Sequence, residues 1–366
     1  MRIMLVSGIY APDIGGPATF IPKLAFKLQS LKNEIFTVSL TDKSASRDDE
    51  EWDRIFVRRD LPKYLRFPIT IITLVFHGLK ADVIFSNGLY EECAIANLFL
   101  RKPLIVKIVG DPIWERATNR KLTNVSIEDF NKKEVKGFLG LERKLLGWSL
   151  SRAKLVITPS RQLETLVKLW SSEVWTQVIP NSIKIQNKMH QVKNKKFDVV
   201  FVGRLTKWKK VDNLISACAK IQCSLAIVGT GPELEQLKAF ASKLQYDIEF
   251  LGERNKSDVV EILLQSRIFC LPSSYEGMSH ALLEAMSESI PVVVSDILPN
   301  KEIIQHEING LIFRLGDVTD LSEKIKQLIG SPELRKKLAI QAKFDVMTKY
   351  EEEKILTKFA NFIVSK

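Results

Sequence analysis

Residues 273–287 read SSYEGMSHALLEAMS, with two carboxylates, Glu276 and Glu284, eight positions apart. On one continuous helix they would lie about 80° apart in projection. The stretch instead starts like a loop, after the strand-like IFCLPS, and turns helix-like near Ser279. Glu276 is therefore read in the loop and Glu284 in the second helical turn. The N–H groups of Gly277, Met278 and Ser279 would then face a ligand at the positive end of a helix. An acid at a helix start is also an ordinary cap or dipole partner. That role does not require the second glutamate.

Two cations follow another strand, in FDVVFVGRLTKWKKVDNLI. Arg204 and Lys209 in one strand-to-helix loop can neutralise a diphosphate, the guanidinium gripping two oxygens and the ammonium acting as a point charge. The plain alternative is two solvated basic residues. Near the N-terminus, LVSGIYAPDIGGPATF places Gly15 and Gly16 just before Pro17, which suits a first helical turn. Bare backbone there offers N–H groups to an anion, or simply makes a turn. Pro22 is awkward if the helix already runs at Ala18, because it removes a helical donor. Neither this loop nor LAIVGTGPELEQL fits the G-x-G-x-x-G dinucleotide fingerprint, and the latter reads as a tight strand-to-helix turn.

The elements that must position these loops alternate along the chain. RIMLVS, IFTVSL, DVIFSN, LIVKIVG and LVITPS are short β-rich runs; FDVVFVG, CSLAIVG, IEFLG, IFCLPS and PVVVSD repeat the theme. Amphipathic stretches such as VDNLISACAKI and DLSEKIKQLI lie between them. Continuous apolar strands covered on both faces predict doubly wound parallel sheets. The rhythm occurs twice, and 366 residues are long for one core. Two Rossmann-like domains are expected, 1–182 and 197–345, joined by a polar basic linker at 183–196, with 346–366 a C-terminal helix returning to the first domain. Ligands of such sheets bind beyond the strands' carboxyl ends.

Composition excludes several classes. No run approaches the roughly 20 apolar residues of a membrane span, and MRIMLVSGIYAPDIGG reads as a first strand rather than a signal peptide. Four scattered cysteines and four scattered histidines show no zinc-ligand spacing and suit a reducing cytosol. Of the net charge of +11, the segment 101–161 carries +8, with 14 Lys or Arg against 6 Asp or Glu. No nucleic-acid-binding signature accompanies that charge, leaving an anionic lipid, an acidic substrate or a solvated helix face.

Taken together these residues resemble the retaining glycosyltransferases of family 4. The likeness runs in order through the Gly15–Gly16 loop, VIPNSI, GRLTKWKKVD, VGTGPE, FLGERN, PSSYEGMSHALLEAM and NGLIF. It implies the GT-B fold, two facing Rossmann-like domains with a cleft between them. It implies a hexosyl unit moved from a UDP- or GDP-sugar with anomeric configuration retained, and neither metal nor cofactor. By position, Arg204 and Lys209 would hold the diphosphate and stabilise the leaving group. Glu276 would bind sugar hydroxyls and Glu284 the ribose. Further donor contacts are implied at Gly15, Gly16, Gly203, Gly252, Arg254, Gly277, Met278, Ser279, His280 and Leu283.

The chain departs from the family pattern in three places. Lys210 and Ser182 replace glycines, and GDPIWERA follows LIVKIVG where many relatives place a histidine. Asp111 thereby becomes a candidate for contacting sugar or acceptor as a base, the alternative being a helix cap. Trp114 and Glu115 are weaker acceptor candidates. The segment 58–80 joins basic residues to an apolar run. It is read either as a buried element or as a surface on anionic lipid. A glycan or lipid-linked acceptor in cell-envelope synthesis, met at the cytoplasmic membrane face, fits these features. The rival readings are a sugar-nucleotide epimerase or phosphorylase-like enzyme of the same fold, and a non-catalytic nucleotide-sugar-binding protein.

Overall fold

The structure is a computed structural model and describes residues 1–11, 13, 15–42, 52–132, 135–185 and 195–365. Most of the expected linker, residues 186–194, lies outside the described residues. The chain divides into two compact units. One comprises Met1–Ile113, Phe130–Pro180 and Glu353–Lys366; the other comprises Trp114–Asp129 and Asn181–Glu352.

The first unit holds a seven-stranded parallel sheet of β1 (Arg2–Ser7), β2 (Glu34–Thr41), β3 (Asp53–Arg58), β4 (Val83–Asn87), β5 (Leu104–Lys107), β6 (Leu155–Thr158) and β7 (Thr176–Val178). Its order is β3-β2-β1-β4-β5-β6-β7. Its helices include α1 (Gly16–Ser30), α2 (Lys63–Gly78) and α3 (Tyr90–Leu100). Later come α4 (Pro112–Asn119) and α5 (Ile127–Lys132), which straddle the unit boundaries, then α6 (Gly137–Ser151) and α7 (Arg161–Trp170).

Right-handed crossovers dictate where these helices lie. The step from β1 to β2 runs one way along the sheet, and those from β3 to β4 and from β4 to β5 run the other. Hence α1 covers one face while α2, α3 and α6 form a layer on the opposite face, α2 packing on α3 and α3 on α6. Strand alternation follows suit: Ile3, Leu5, Val83 and Phe85 join the core beneath α1. The segment at 58–80 is thus mostly α2, a helix on the sheet's face. Pro22 sits inside α1, which begins at Gly16 and runs through it.

The second unit repeats the plan with six parallel strands: β8 (Phe197–Val202), β9 (Leu225–Val228), β10 (Glu249–Gly252), β11 (Ser266–Leu271), β12 (Val292–Ser295) and β13 (Leu311–Phe313). Their order, β10-β9-β8-β11-β12-β13, matches the order of the first six strands in the other sheet. The helices are α8 (Val211–Ile221), α9 (Leu234–Lys243), α10 (Lys256–Leu264), α11 (His280–Ser287), α12 (Leu298–Lys301), α13 (Val318–Gly330) and α14 (Pro332–Lys349). Phe201, Phe269 and Phe313 are fully buried, each such side chain stabilising by about 1.5–3 kcal/mol.

The last helix, α15 (Glu352–Val364), groups with the first unit from Glu353 onward. Its Phe359 ring packs edge-on against Phe20, with centroids 4.9 Å apart. The Lys107 ammonium, at the end of β5, lies 3.5 Å from the Phe20 ring centroid and 5.0 Å from that of Phe359.

Candidate active site

In each sheet the strand order reverses direction between two neighbours, β1 and β4 in one and β8 and β11 in the other. Loops leaving those strands diverge and open a ligand-sized crevice at their carboxyl ends. The loops the sequence singled out in the second unit are the two beside this point. Gly203–Lys209 follows β8, with Lys207–Lys209 forming a 3₁₀ turn, and Pro272–Ser279 follows β11.

Aromatic packing joins these loops. The Trp114 ring lies 5.4 Å from Trp208 and 5.1 Å from Tyr275, and its Nε1 donates to the Val125 carbonyl at 3.1 Å. Each such ring pair is worth about 0.5–1.5 kcal/mol beyond its area. The Trp208 carbonyl accepts from Ser274 N at 2.7 Å and from Ser274 Oγ at 3.2 Å. With both backbones held, Lys209 Nζ donates to Glu276 Oε1 at 2.7 Å. Glu276 is only 8% exposed, so this pair is largely withdrawn from water. Arg204 is exposed and makes no side-chain hydrogen bond or ion pair among the described residues.

The glycines of VGTGPE brace the first loop. A Cβ at Gly229 would stand 2.0 Å from the Gly203 carbonyl, and one at Gly231 would stand 2.3 Å from the Leu205 carbonyl. Gly203 N donates to Val228 O at 3.0 Å and Leu205 N to Thr230 O at 2.8 Å. Any side chain would push the loops apart and move Arg204. Gly229 N in turn donates to Gly252 O at 2.8 Å. Gly252 has a φ of 66° and open space where a Cβ would be, and Arg254 beyond it is exposed.

α11 begins where the sequence placed it. Ser279 Oγ caps it by accepting from Leu282 N at 3.2 Å. The N–H groups of Gly277, Met278 and Ser279 have no acceptor among the described residues, as expected at a helix start. Glu284 lies in the second turn, half-buried, with its Oε1 4.0 Å from Lys256 Nζ. His280 is exposed at the first helical position. Asn181, in the VIPNSI turn, donates through Nδ2 to Met278 O at 3.0 Å and through its backbone N to Met278 Sδ at 3.1 Å. That turn therefore holds the loop from behind.

Three expectations are corrected. Leu283 is fully buried in the second unit's core and presents no side-chain surface to a donor, because it lies on the helix face that packs on the sheet. Asp111 is 0% exposed. Its carboxylate accepts from Arg143 Nη2 at 2.9 and 3.2 Å, from Asn131 Nδ2 at 3.1 Å and from Ile113 N at 3.0 Å. It anchors a cation and turns the chain into α4, leaving no open base. Burial lowers the Arg143 pKa while Asp111 opposes that shift. Trp114 is buried in the aromatic cluster and supports the loops instead of lining an acceptor surface. Glu115 is half-buried beside it in the chain.

Gly15 and Gly16 lie in the first unit at the start of α1, Gly15 as its N-terminal boundary and Gly16 exposed. At the first sheet's own switch point sits Asn87, ending β4. Both atoms of its buried amide lack a partner among the described residues. Sequence reasoning missed it, since the only signal was its place at the end of DVIFSN.

The model of the family described as glycosyl transferases group 1 matches residues 182–344. A relative from Methanocaldococcus jannaschii, called an uncharacterized glycosyltransferase, is 30% identical over 401 residues, 98% of this chain and 97% of that protein. The chain belongs to the glycosyl transferases group 1 family.

Other relatives are matched over part of their length. The chain spans 63% of an uncharacterized glycosyltransferase from Haemophilus influenzae, at 27% identity over 57% of this chain. It spans 48% of the UDP-Gal:alpha-D-GlcNAc-diphosphoundecaprenol alpha-1,3-galactosyltransferase of Escherichia coli, at 30% identity over 45% of this chain. Among solved structures, sucrose-phosphate synthase from Thermosynechococcus elongatus has a TM-score of 0.81 at 18% identity, covering 99% of this chain and 98% of that one. Anabaena Alr3699/HepE in complex with UDP and glucose has a TM-score of 0.80 at 19% identity, covering 100% of both chains. With its two parallel Rossmann-like units, the chain has the GT-B fold.

Proposed function

We propose that this chain is a retaining, metal-independent glycosyltransferase that moves a hexosyl unit from a UDP- or GDP-sugar to a glycan, lipid-linked acceptor. The observation that carries the reading is the Lys209–Glu276 pair beside exposed Arg204 at the β8/β11 switch point. A diphosphate needs cations, a sugar needs a fixed hydroxyl acceptor, and here both stand on adjacent loops.

Arg204 and Lys209 bind the donor diphosphate and stabilise the negative charge that grows on it as the glycosidic bond breaks. That is the charge a divalent ion would otherwise offset. Glu276 accepts from donor-sugar hydroxyls, its partner Lys209 turning toward the phosphate. The N–H groups at the start of α11 add hydrogen bonds to the same sugar, and Glu284 accepts from the ribose. The departing phosphate oxygen takes the acceptor hydroxyl's proton as the new bond forms on the same face of the sugar. The relative named for UDP-galactose and a diphosphoundecaprenol acceptor, and the structural neighbour holding UDP and glucose, support the donor and acceptor classes. Four free, buried cysteines support a cytoplasmic setting.

The test is a thermal-shift panel of nucleotide sugars, followed by nucleotide release with and without acceptor. One UDP- or GDP-sugar should raise the melting temperature, and Arg204→Ala should abolish the rise. An unchanged shift in that variant would falsify the diphosphate assignment. Turnover of the donor to an epimer without acceptor points to the epimerase reading.

A further inference from the structure

A helix on the surface of a sheet normally turns its polar side outward. α2 does the reverse. Its buried positions are Thr70, Leu74 and Gly78, whereas Leu65, Ile69, Ile72 and Phe76 are exposed, the last two at 67% and 66%. Those four residues fall at i, i+4, i+7 and i+11, a single stripe along the outer face. No acidic residue occurs between Leu61 and Lys80.

The neighbouring helices continue the surface. On α3, Phe99 is 72% exposed and is followed by exposed Arg101. On α6, Phe138, Leu141, Leu145 and Trp148 are exposed at i, i+3, i+7 and i+10. Lys144, also exposed, flanks that stripe, and exposed Arg152 stands at the helix's C-terminal end. The three helices form one layer, α2 packing on α3 and α3 on α6, and Lys63 Nζ of α2 lies 3.8 Å from Glu142 Oε1 of α6. An apolar face of this extent marks a docking surface.

The rim decides the occupant. Lys63, Lys80, Arg101, Lys144 and Arg152 bring positive charge to the edges of the apolar face. A second copy of the chain would set like charges against one another, while anionic headgroups would pair with them and acyl chains would receive the apolar side chains. Among the described residues no helix is long and apolar enough to cross a membrane. We infer that the outer face of α2, α3 and α6 lies flat on an anionic lipid bilayer, its apolar side chains below the headgroups and its basic rim among them. This holds whatever sugar the second unit binds.

The experiment is flotation of the full chain with phosphatidylcholine vesicles, with and without phosphatidylglycerol, at low and high salt. The chain should float with the anionic vesicles, less at high salt, and much less with phosphatidylcholine alone. The double variant I72E/F76E should lose about tenfold or more in binding, and Phe99→Glu, on another helix, should weaken it independently. Because these side chains are exposed, both variants should keep the parent melting temperature. Phe344→Glu, exposed on α14 of the other unit, should bind as the parent does. Absent flotation, equal flotation on neutral vesicles, or unaltered binding by both variants overturns the proposal. So does a dimer in sedimentation velocity that I72E/F76E dissociates without changing vesicle binding.

Discussion

Lys209 Nζ and Glu276 Oε1 stand 2.7 Å apart although 67 residues separate them in the chain. Each neutralises the other in a largely dehydrated place, so each supports its partner in addition to the ligand-binding role proposed for it. The two single variants therefore have different consequences.

Lys209→Ala strands a carboxylate that is only 8% exposed, whereas Glu276→Gln keeps a hydrogen-bonding amide and frees a cation that can reach solvent. Lys209→Ala should lower stability by about 2 kcal/mol and Glu276→Gln by less than about 1 kcal/mol. Both should reduce kcat/KM by about a hundredfold or more. Chemical denaturation and steady-state kinetics on the two variants check this, and equal stability losses would count against the asymmetry.

Asp111→Asn separates an anchor from a catalytic base. The Arg143 side chain is 13% exposed and Asp111 holds it directly, so the substitution leaves a nearly buried cation without its counter-charge. Stability should fall by about 3 kcal/mol, while kcat at a permissive temperature stays within about threefold of the parent. A base would show the opposite pattern, with normal stability and a rate loss of about 10²–10⁴.

Lys107 gives the fold a measurable pH dependence. Burial pushes its pKa from 10.5 down to about 7, the faces of Phe20 and Phe359 returning part of that cost. Between pH 7 and 10.5 the unfolded chain holds a proton there that the native state lacks, so native stability rises with pH across that window. The slope approaches about 1.4 kcal/mol per pH unit. Lys107→Met should stabilise the fold near neutrality and remove this rise. Melting temperatures of parent and variant from pH 7 to 10 make the comparison.

Metal removal addresses the leaving group. If Arg204 and Lys209 meet the diphosphate as proposed, EDTA should leave kcat within about twofold, and Arg204→Lys should not restore Arg204→Ala, since an ammonium lacks the two-pronged grip. A loss above about tenfold on chelation, recovered by magnesium or manganese, would assign the leaving-group charge to an ion.

Asn87→Leu weighs fold against function. Among the described residues nothing pairs with the buried Asn87 amide, so an apolar residue of similar size should raise stability by about 1 kcal/mol. If the first unit's switch point serves the acceptor, the same variant should raise the acceptor KM and leave the donor KM unchanged. Calorimetry and two-substrate kinetics read both.

Much of this was legible in the chain itself. Alternating apolar runs and amphipathic stretches announced the two parallel sheets, because buried parallel strands must be continuously apolar. The edge strands β3, β7 and β13 escaped notice; β3 and β7 are only partly buried, and β7 and β13 have just three residues each. The loop position of Glu276 and the helical position of Glu284 followed from local grammar, the serine cap before an apolar run. The placing of Arg204, Lys209 and the glycine turns in strand-to-helix loops was readable by type and place.

Long-range packing decided the rest. No local rule tells that Trp114 belongs with Trp208 and Tyr275, or that Asp111 is spent on Arg143 and Asn131. Nor does α2 reveal from its own residues which of two apolar sides meets the sheet. The sequence by itself determined which elements form and which loops carry charge, since these depend on neighbours a few residues away. Only the tertiary structure decided which polar groups remain open to a ligand, because burial and ion pairing are set by residues distant in the chain.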